Sequence, residues 1–240
     1  MPAAATALAW QDGQLAAAHG RAQVRFTGRA GGISRPPYDT LNLGRWTEDE
    51  PAAVAENLSR VARAAGVARL AQGRQVHGTA VVGAPAAGVF PEADGVHSRE
   101  PGVGCLVLTA DCLPVALVAP GGRAVAMVHA GWKGLAGGVL EAGIGALGGE
   151  VAAAFVGPGA GACCYEVGPE VLAAFDDLDG VADGGRLDLG VVARRQLERG
   201  GVERIEDVDL CTMCDPERRF FSHRRDGGRT GRQAGLAWST

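Results

Sequence analysis

Three residues stand out for the chemistry their side chains could do together: His77, Cys112 and His129. Two imidazoles and one thiolate suit a borderline-soft divalent metal. Three protein ligands instead of four are the signature of a catalytic zinc with an open position. Such ligands must be deprotonated, and the metal charge itself stabilises the thiolate. Cys112 and His129 lie 17 residues apart, enough for a strand, a turn and a return strand that bring two strand ends together. His77 has to arrive from an earlier strand. No tight Cys-x-x-Cys or His-x-x-x-His element is involved. The spacing alone is equally compatible with two hydrogen-bonded structural histidines and a small buried cysteine.

The elements that must position these residues can be read from the apolar pattern. Residues 73–83, 103–119 and 124–129 read as strands, and each carries or ends at one of the three. Val54, Leu58 and Val61 have helical spacing and predict a helix over 50–65 with Gly66 as its stop. Further helices are expected at about 135–147, 168–178 and 189–200, and strands at 152–156 and 204–210. Residues 1–20 read as a leading strand or two with a loosely ordered end, and 25–32 as a strand running into a glycine loop. After a cysteine turn the chain closes in a basic, glycine-rich tail. Interspersed strands and helices without a linker or repeat predict one α/β or α+β domain spanning 1–240.

Composition narrows the function classes. With 47% hydrophobic and 21% charged residues the chain is an ordinary soluble globular protein. The net charge of -4 argues against a nucleic-acid binder driven by phosphate neutralisation. Neither a signal peptide nor an apolar run of about 18 residues is present, so no membrane association is expected. Six cysteines, far apart or in close pairs, fit free thiols and metal ligands in a reducing cytoplasm better than a secreted disulfide scaffold. Lys133 is the only lysine among 23 basic residues. A GC-rich genome explains that bias, and retention of one lysine for function is the alternative.

Five segments in order resemble the motifs of one family: Gln75-Val-His-Gly78, Thr109-Ala-Asp-Cys-Leu-Pro114, His129-Ala-Gly-Trp-Lys-Gly-Leu135, Gly161-Ala-Cys-Cys-Tyr-Glu-Val-Gly168 and Arg224-Arg-Asp-Gly-Gly-Arg-Thr-Gly231. This is the YfiH family, once called multicopper polyphenol oxidases or laccases and also peptidoglycan editing factors. Its members are now described as purine nucleoside phosphorylases with accompanying adenosine deaminase activity. The resemblance runs from about Gly31 to Trp238. It implies a YfiH-like α/β sandwich with a mixed β-sheet, and zinc held by His77, Cys112 and His129. The copper-oxidase label fits poorly, because several copper centres need many histidines and this chain has five.

The implied reaction cleaves adenosine, inosine, guanosine and S-methyl-5'-thioadenosine with phosphate, giving base and ribose 1-phosphate (for the last, its methylthio analogue). Phosphate needs cationic or N–H donors, for which Arg35, Lys133, Arg224, Arg225, Arg229 and Arg232 are candidates; a solvated surface role is the alternative for each. Deamination calls for a zinc-activated water. Asn42 is a candidate substrate contact or a turn-forming residue. Asp111 could orient a metal-bound histidine or water, cap a helix or pair with an arginine. Asp94 is read first as a turn residue. Two other functions fit the same residues: a hydrolase with Cys112 as nucleophile and His129 as its base, or a non-catalytic factor in peptidoglycan precursor editing. The partners expected are a purine nucleoside and phosphate, in a monomer or small homo-oligomer. Cys163-Cys164 and Cys211-Thr-Met-Cys214 could form a second zinc site, but adjacent cysteines tend to diverge and the reading is disfavoured.

Overall fold

A computed structural model describes residues 6–240. The start of the expected loose segment, 1–5, lies outside the described residues. The rest of it is regular: β1 (Thr6–Gln11) and β2 (Gln14–His19) form an antiparallel hairpin, followed by β3 (Ala22–Phe26). Helix α1 (Pro51–Ala65) ends where the sequence predicts, with Gly66 left-handed at φ 66°. After it come β4 (Arg69–Gln72), β5 (Val81–Gly83), β6 (Gly95–Ser98), β7 (Val103–Thr109), β8 (Leu113–Val118) and β9 (Val125–Ala130). Two short helices, α2 (Trp132–Gly137) and α3 (Val139–Ala146), replace the single helix expected there, because Gly138 at φ 89° breaks it. Then follow β10 (Ala153–Val156), α4 (Pro169–Ala173), the small hairpin β11 (Ala182–Asp183) and β12 (Arg186–Leu187), α5 (Leu189–Arg199) and β13 (Ile205–Asp207). The basic, glycine-rich tail, for which no strand was expected, contains β14 (Gln233–Ser239).

The strands form two six-stranded mixed sheets. The first runs β1-β2-β3-β14-β7-β4 and the second β13-β10-β8-β9-β6-β5. Alternation along each strand sorts the apolar side chains into three layers. Val24, Phe26, Cys105 and Val107 of the first sheet face Ala116, Val125, Met127 and Phe155 of the second. On the outer face of the first sheet, Leu106, Leu108 and Leu236 pack on Val54, Leu58 and Val61 of α1. On the outer face of the second, Val115, Leu117 and Val128 pack on Leu135, Leu140, Val192 and Leu197 from α2, α3 and α5. The result is an α/β/β/α sandwich. At Gly235 the two sheets come so close that an added Cβ would sit 2.8 Å from the Met127 sulfur.

Two expected strands are divided, and both divisions matter for the site. Segment 73–83 is a loop from 73 to 80, crossing from β4 in the first sheet to β5 in the second. Segment 103–119 breaks at 110–112, where the chain passes from β7 to β8 and likewise changes sheets. No helix among the described residues is long and apolar enough to cross a membrane.

Phe155 is fully buried in the layer between the sheets. Phe155→Ala should lower unfolding stability by about 3–5 kcal/mol, read as a fall in the urea midpoint at unchanged slope. A cost below about 1 kcal/mol would mean that this layer is loosely packed.

Candidate metal centre

The two crossovers and the end of β9 meet at one edge of the sandwich. His77 lies in the first crossover and Cys112 in the second. His129, next to last in β9 and opposite Pro114 of β8, has the same alternation as Val125 and Met127 and so faces the seam between the sheets. One ligand atom from each of His77, Cys112 and His129 falls within 4.8 Å of the others. The two imidazole rings meet edge to face with centroids 4.9 Å apart. Gly131 permits this closeness, since a Cβ there would sit 2.9 Å from Cys112 Sγ and 3.2 Å from the His77 ring.

Asp94 holds the cluster from behind. Its fully buried carboxylate accepts the Val76, His77 and Gly78 amides at 3.1, 3.0 and 2.7 Å. The His129 Nδ1 lies 2.7 Å from Asp94 Oδ1, which leaves Nε2 for the cluster. Burial pushes this carboxyl up, but the His129 and amide hydrogen bonds outweigh it and hold the acid below its ordinary range. His77 itself has φ 59°, a left-handed backbone that the three amide bonds fix. Gln75 secures the same loop, donating to the Leu108 carbonyl at 2.7 Å and accepting the Leu108 amide at 2.8 Å. Asp94 is thus more than a turn residue.

Asp111, by contrast, touches neither histidine. Its carboxylate accepts the Thr212 hydroxyl and the Arg224 amide, both at 2.7 Å, and its carbonyl accepts the Ala160 amide at 2.7 Å. It fixes the crossover that presents Cys112. Burial works against a Cys112 thiolate, yet the charge and hydrogen bond of His129, with help from His77, bring the thiol down to about 6. His129 is in turn raised to about 9: burial lowers it, and the Cys112 thiolate and Asp94 more than reverse that. Cys105, buried in the core without such neighbours, is pushed up to about 12 by desolvation. Without metal the pair is therefore a Cys112 thiolate and a His129 imidazolium. A metal ion that displaces the shared proton would meet one thiolate and two imidazoles, one of them oriented by a carboxylate, which is a donor set that fits zinc.

A cleft of about 510 Å³ opens over the cluster. Its walls include Trp46, Thr109, Trp132, Lys133, Tyr165, His223, Arg224 and Arg232. Of the phosphate-binding candidates, Lys133, Arg224 and Arg232 thus line the cleft. Arg232 is half-buried, with Nη1 on the Thr230 and Gly231 carbonyls at 2.9 Å, and it pairs with no carboxylate among the described residues. Arg224 lies over the Tyr165 ring and donates to the Glu166 carbonyl at 2.7 Å. Three other candidates do not line the cleft. Arg35 is exposed on the loop before α1. Arg225 is committed to Asp226 and to the Thr212 and Phe220 carbonyls. Arg229 pairs with Glu48 at 3.6 Å. Asn42 is fully buried and donates to Thr47 and Asp49 at 2.9 and 3.0 Å. Its carbonyl accepts the Gly44 and Arg232 amides, so it positions Arg232 instead of meeting a ligand.

Sequence reasoning overlooked Thr109, His223 and the aromatic wall. Thr109 stands inside a quoted motif, and its hydroxyl is buried in the cleft without a hydrogen-bond partner. His223 precedes the arginine motif; only its nearness to Arg224 in sequence could have drawn attention to it.

An α/β/β/α sandwich with a His–Cys–His cluster at its seam defines a mixed α/β protein with a donor set suited to a metal ion. Residues 23–240 match the family described as multi-copper polyphenol oxidoreductase laccase, and the chain belongs to that family. It is 40% identical over 230 residues to a Pseudomonas aeruginosa protein named purine nucleoside phosphorylase, covering 91% of this chain and 93% of that one. The Escherichia coli protein named purine nucleoside phosphorylase YfiH is 41% identical over 224 residues, covering 88% and 90%. A Neisseria meningitidis crystal structure superposes with a TM-score of 0.86 at 37% identity, covering 98% of each chain.

In metal-free protein, Cys112 should be alkylated by iodoacetamide with half-maximal rate near pH 6, because the folded thiol titrates there. Below that pH the thiolate is lost and labelling should stop; an ordinary profile centred near about 8.5 would remove the imidazole–thiolate pair. Asp94→Asn should weaken metal binding roughly 10- to 100-fold, measured by competition with a chromogenic chelator.

Proposed function

We propose that this protein is a zinc-dependent purine nucleoside phosphorylase. It acts on adenosine, inosine, guanosine and S-methyl-5'-thioadenosine, with adenosine deaminase as an accompanying activity. The observation that carries the reading is the composition of the cleft. A thiolate–imidazole cluster lies at its floor, an unpaired half-buried guanidinium and a lysine at its wall, and three aromatic side chains around it. The names of the Pseudomonas and Escherichia relatives point the same way.

His77, Cys112 and His129 are the residues that would hold the metal. Bound zinc supplies a Lewis acid at the floor of the cleft. In phosphorolysis a phosphate oxygen bonds to the anomeric carbon as the bond to the purine breaks, and the purine leaves with the electron pair and takes a proton. Arg232, Lys133 and Arg224 offer charged donors for the phosphate. Arg232 is the best placed of them, since burial lowers its pKa and a phosphate dianion would compensate its lost hydration. The Trp46, Trp132 and Tyr165 rings offer faces on which a purine stacks.

A second reading has its own support. Cys112, His129 and Asp94 are linked in the order nucleophile, base and orienting carboxylate. In this alternative the thiolate attacks an amide of a peptidoglycan precursor, His129 gives its proton to the leaving amine, and water hydrolyses the thioester. A substrate-derived thioester trapped on Cys112 is the observation that would favour it.

Incubated with adenosine and phosphate, the zinc-loaded protein should release adenine and ribose 1-phosphate. Equal release of adenine without phosphate or arsenate would exclude phosphorolysis. Arg232→Gln should raise the KM for phosphate by about tenfold or more while zinc content is unchanged. An unaltered phosphate KM would assign anion binding elsewhere.

A further inference from the structure

Cys163, Cys164, Cys211 and Cys214 stand apart from the cluster described above, and no step of the proposed reaction uses them. All four are free thiols whose sulfurs lie within 4.8 Å of one another. Cys163 Sγ and Cys214 Sγ are 3.3 Å apart, well beyond the S–S bond length of about 2.05 Å. A tetrahedron with Zn–S bonds of about 2.3 Å has S···S edges of about 3.8 Å. We propose that these four cysteines form a second metal site, a closed tetrathiolate that binds zinc and has a structural role.

The objection that adjacent cysteines diverge is answered by the backbone. The Cys164 and Tyr165 amides both donate to the Gly161 carbonyl, at 2.9 and 3.0 Å, so the pair lies in a helix-like turn. Successive side chains are then rotated by about 100° instead of pointing to opposite sides as on a strand. Both sulfurs can therefore face one centre. Cys211 sits beside this turn because its segment makes a parallel bridge to Gly159.

The surroundings suit negative charge. Cys211 Sγ accepts the Gly161 amide at 3.4 Å, and the Met213 and Cys214 amides point at the same sulfur. Backbone N–H groups aimed at a thiolate disperse the charge that four thiolates around one divalent ion leave over. Arg186 bonds the Cys163 carbonyl at 3.3 Å and sets a guanidinium nearby. Cys163 and Cys214 are exposed, which gives an ion a path inward.

Four protein ligands leave no open position, so the site is a staple and not a second reaction centre. What it would fasten is specific. Thr212, inside the Cys211–Cys214 turn, donates to the Asp111 carboxylate behind Cys112. Tyr165, next to Cys164, forms part of the cleft wall. The ion would tie these two segments together without touching substrate.

Metal content decides the matter independently of any enzymatic activity. Protein purified under reducing conditions should contain close to two zinc ions per chain. The His77→Ala/Cys112→Ala variant and the Cys211→Ser/Cys214→Ser variant should each retain one. If the second variant does not fold, zinc-edge X-ray absorption on the wild-type protein still answers: about half of the zinc should show a sulfur-only shell near 2.3 Å. Cobalt substitution should likewise give tetrathiolate charge-transfer and ligand-field bands. One zinc per chain with all four thiols open to alkylation would overturn the proposal. So would a Cys163–Cys214 disulfide mapped in the reduced preparation, or two zinc ions that persist in the Cys211→Ser/Cys214→Ser protein.

Discussion

A single buried charge, the carboxylate of Asp94, organises the candidate site. Taking an ionised carboxylate out of water costs several kcal/mol unless it is fully partnered. Here three consecutive amides and one imidazole surround it. Those partners are also the ligand framework. The amides come from residues 76–78 and fix the backbone of His77, while the imidazole is that of His129. The backbone joins in as well, because the His129 amide donates to the Asp94 carbonyl at 2.6 Å. Two of three ligands from distant parts of the chain are thereby set by one side chain at the start of β6.

The third ligand has its own carboxylate. Asp111 holds the turn that presents Cys112 by bonding Thr212 and Arg224, and both of those belong to segments that also shape the cleft. Asn42 does for Arg232 what Asp111 does for Cys112, gripping its amide from a buried position. The cleft is thus built on a layer of saturated buried polar groups, in which each lost bond would leave a partner stranded. The exception is the Thr109 hydroxyl, buried beside the cleft without a hydrogen-bond partner.

Much of this was legible in the sequence. The His77, Cys112 and His129 trio followed from ligand chemistry and from five ordered motifs, and the helix at Pro51–Ala65 from apolar spacing and Gly66. The failures share a physical cause. Asn42 and Arg225 are polar loop residues, which is how binding residues look, but a sequence does not reveal that their hydrogen bonds are already taken. Asp94 gave no periodic signal, since its importance arises from contacts with residues 16 to 35 positions away. The adjacent cysteines were judged by strand geometry and lie in a turn. The strand Gln233–Ser239 was hidden because a glycine and a glutamine interrupt its apolar pattern: Gly235 faces a seam too close for a Cβ, and Gln233 is spent on the amide and carbonyl of Phe221.

That strand has a consequence for how the molecule comes into being. β14 lies between β3 and β7, so the first sheet is two unconnected halves until residues 233–239 take their place. One half is the hairpin and β3; the other is β7 with β4. No local contact can join them, and the closing step spans more than 200 positions of sequence at the β3 side. Such a topology delays completion of the sheet, since loop-closure entropy is spent before the long-range pairing is gained. During synthesis the early strands must wait with an open edge on each side of a gap one strand wide. A nascent or clipped chain lacking that strand would present two unpaired edges, each a template for strand addition from another molecule.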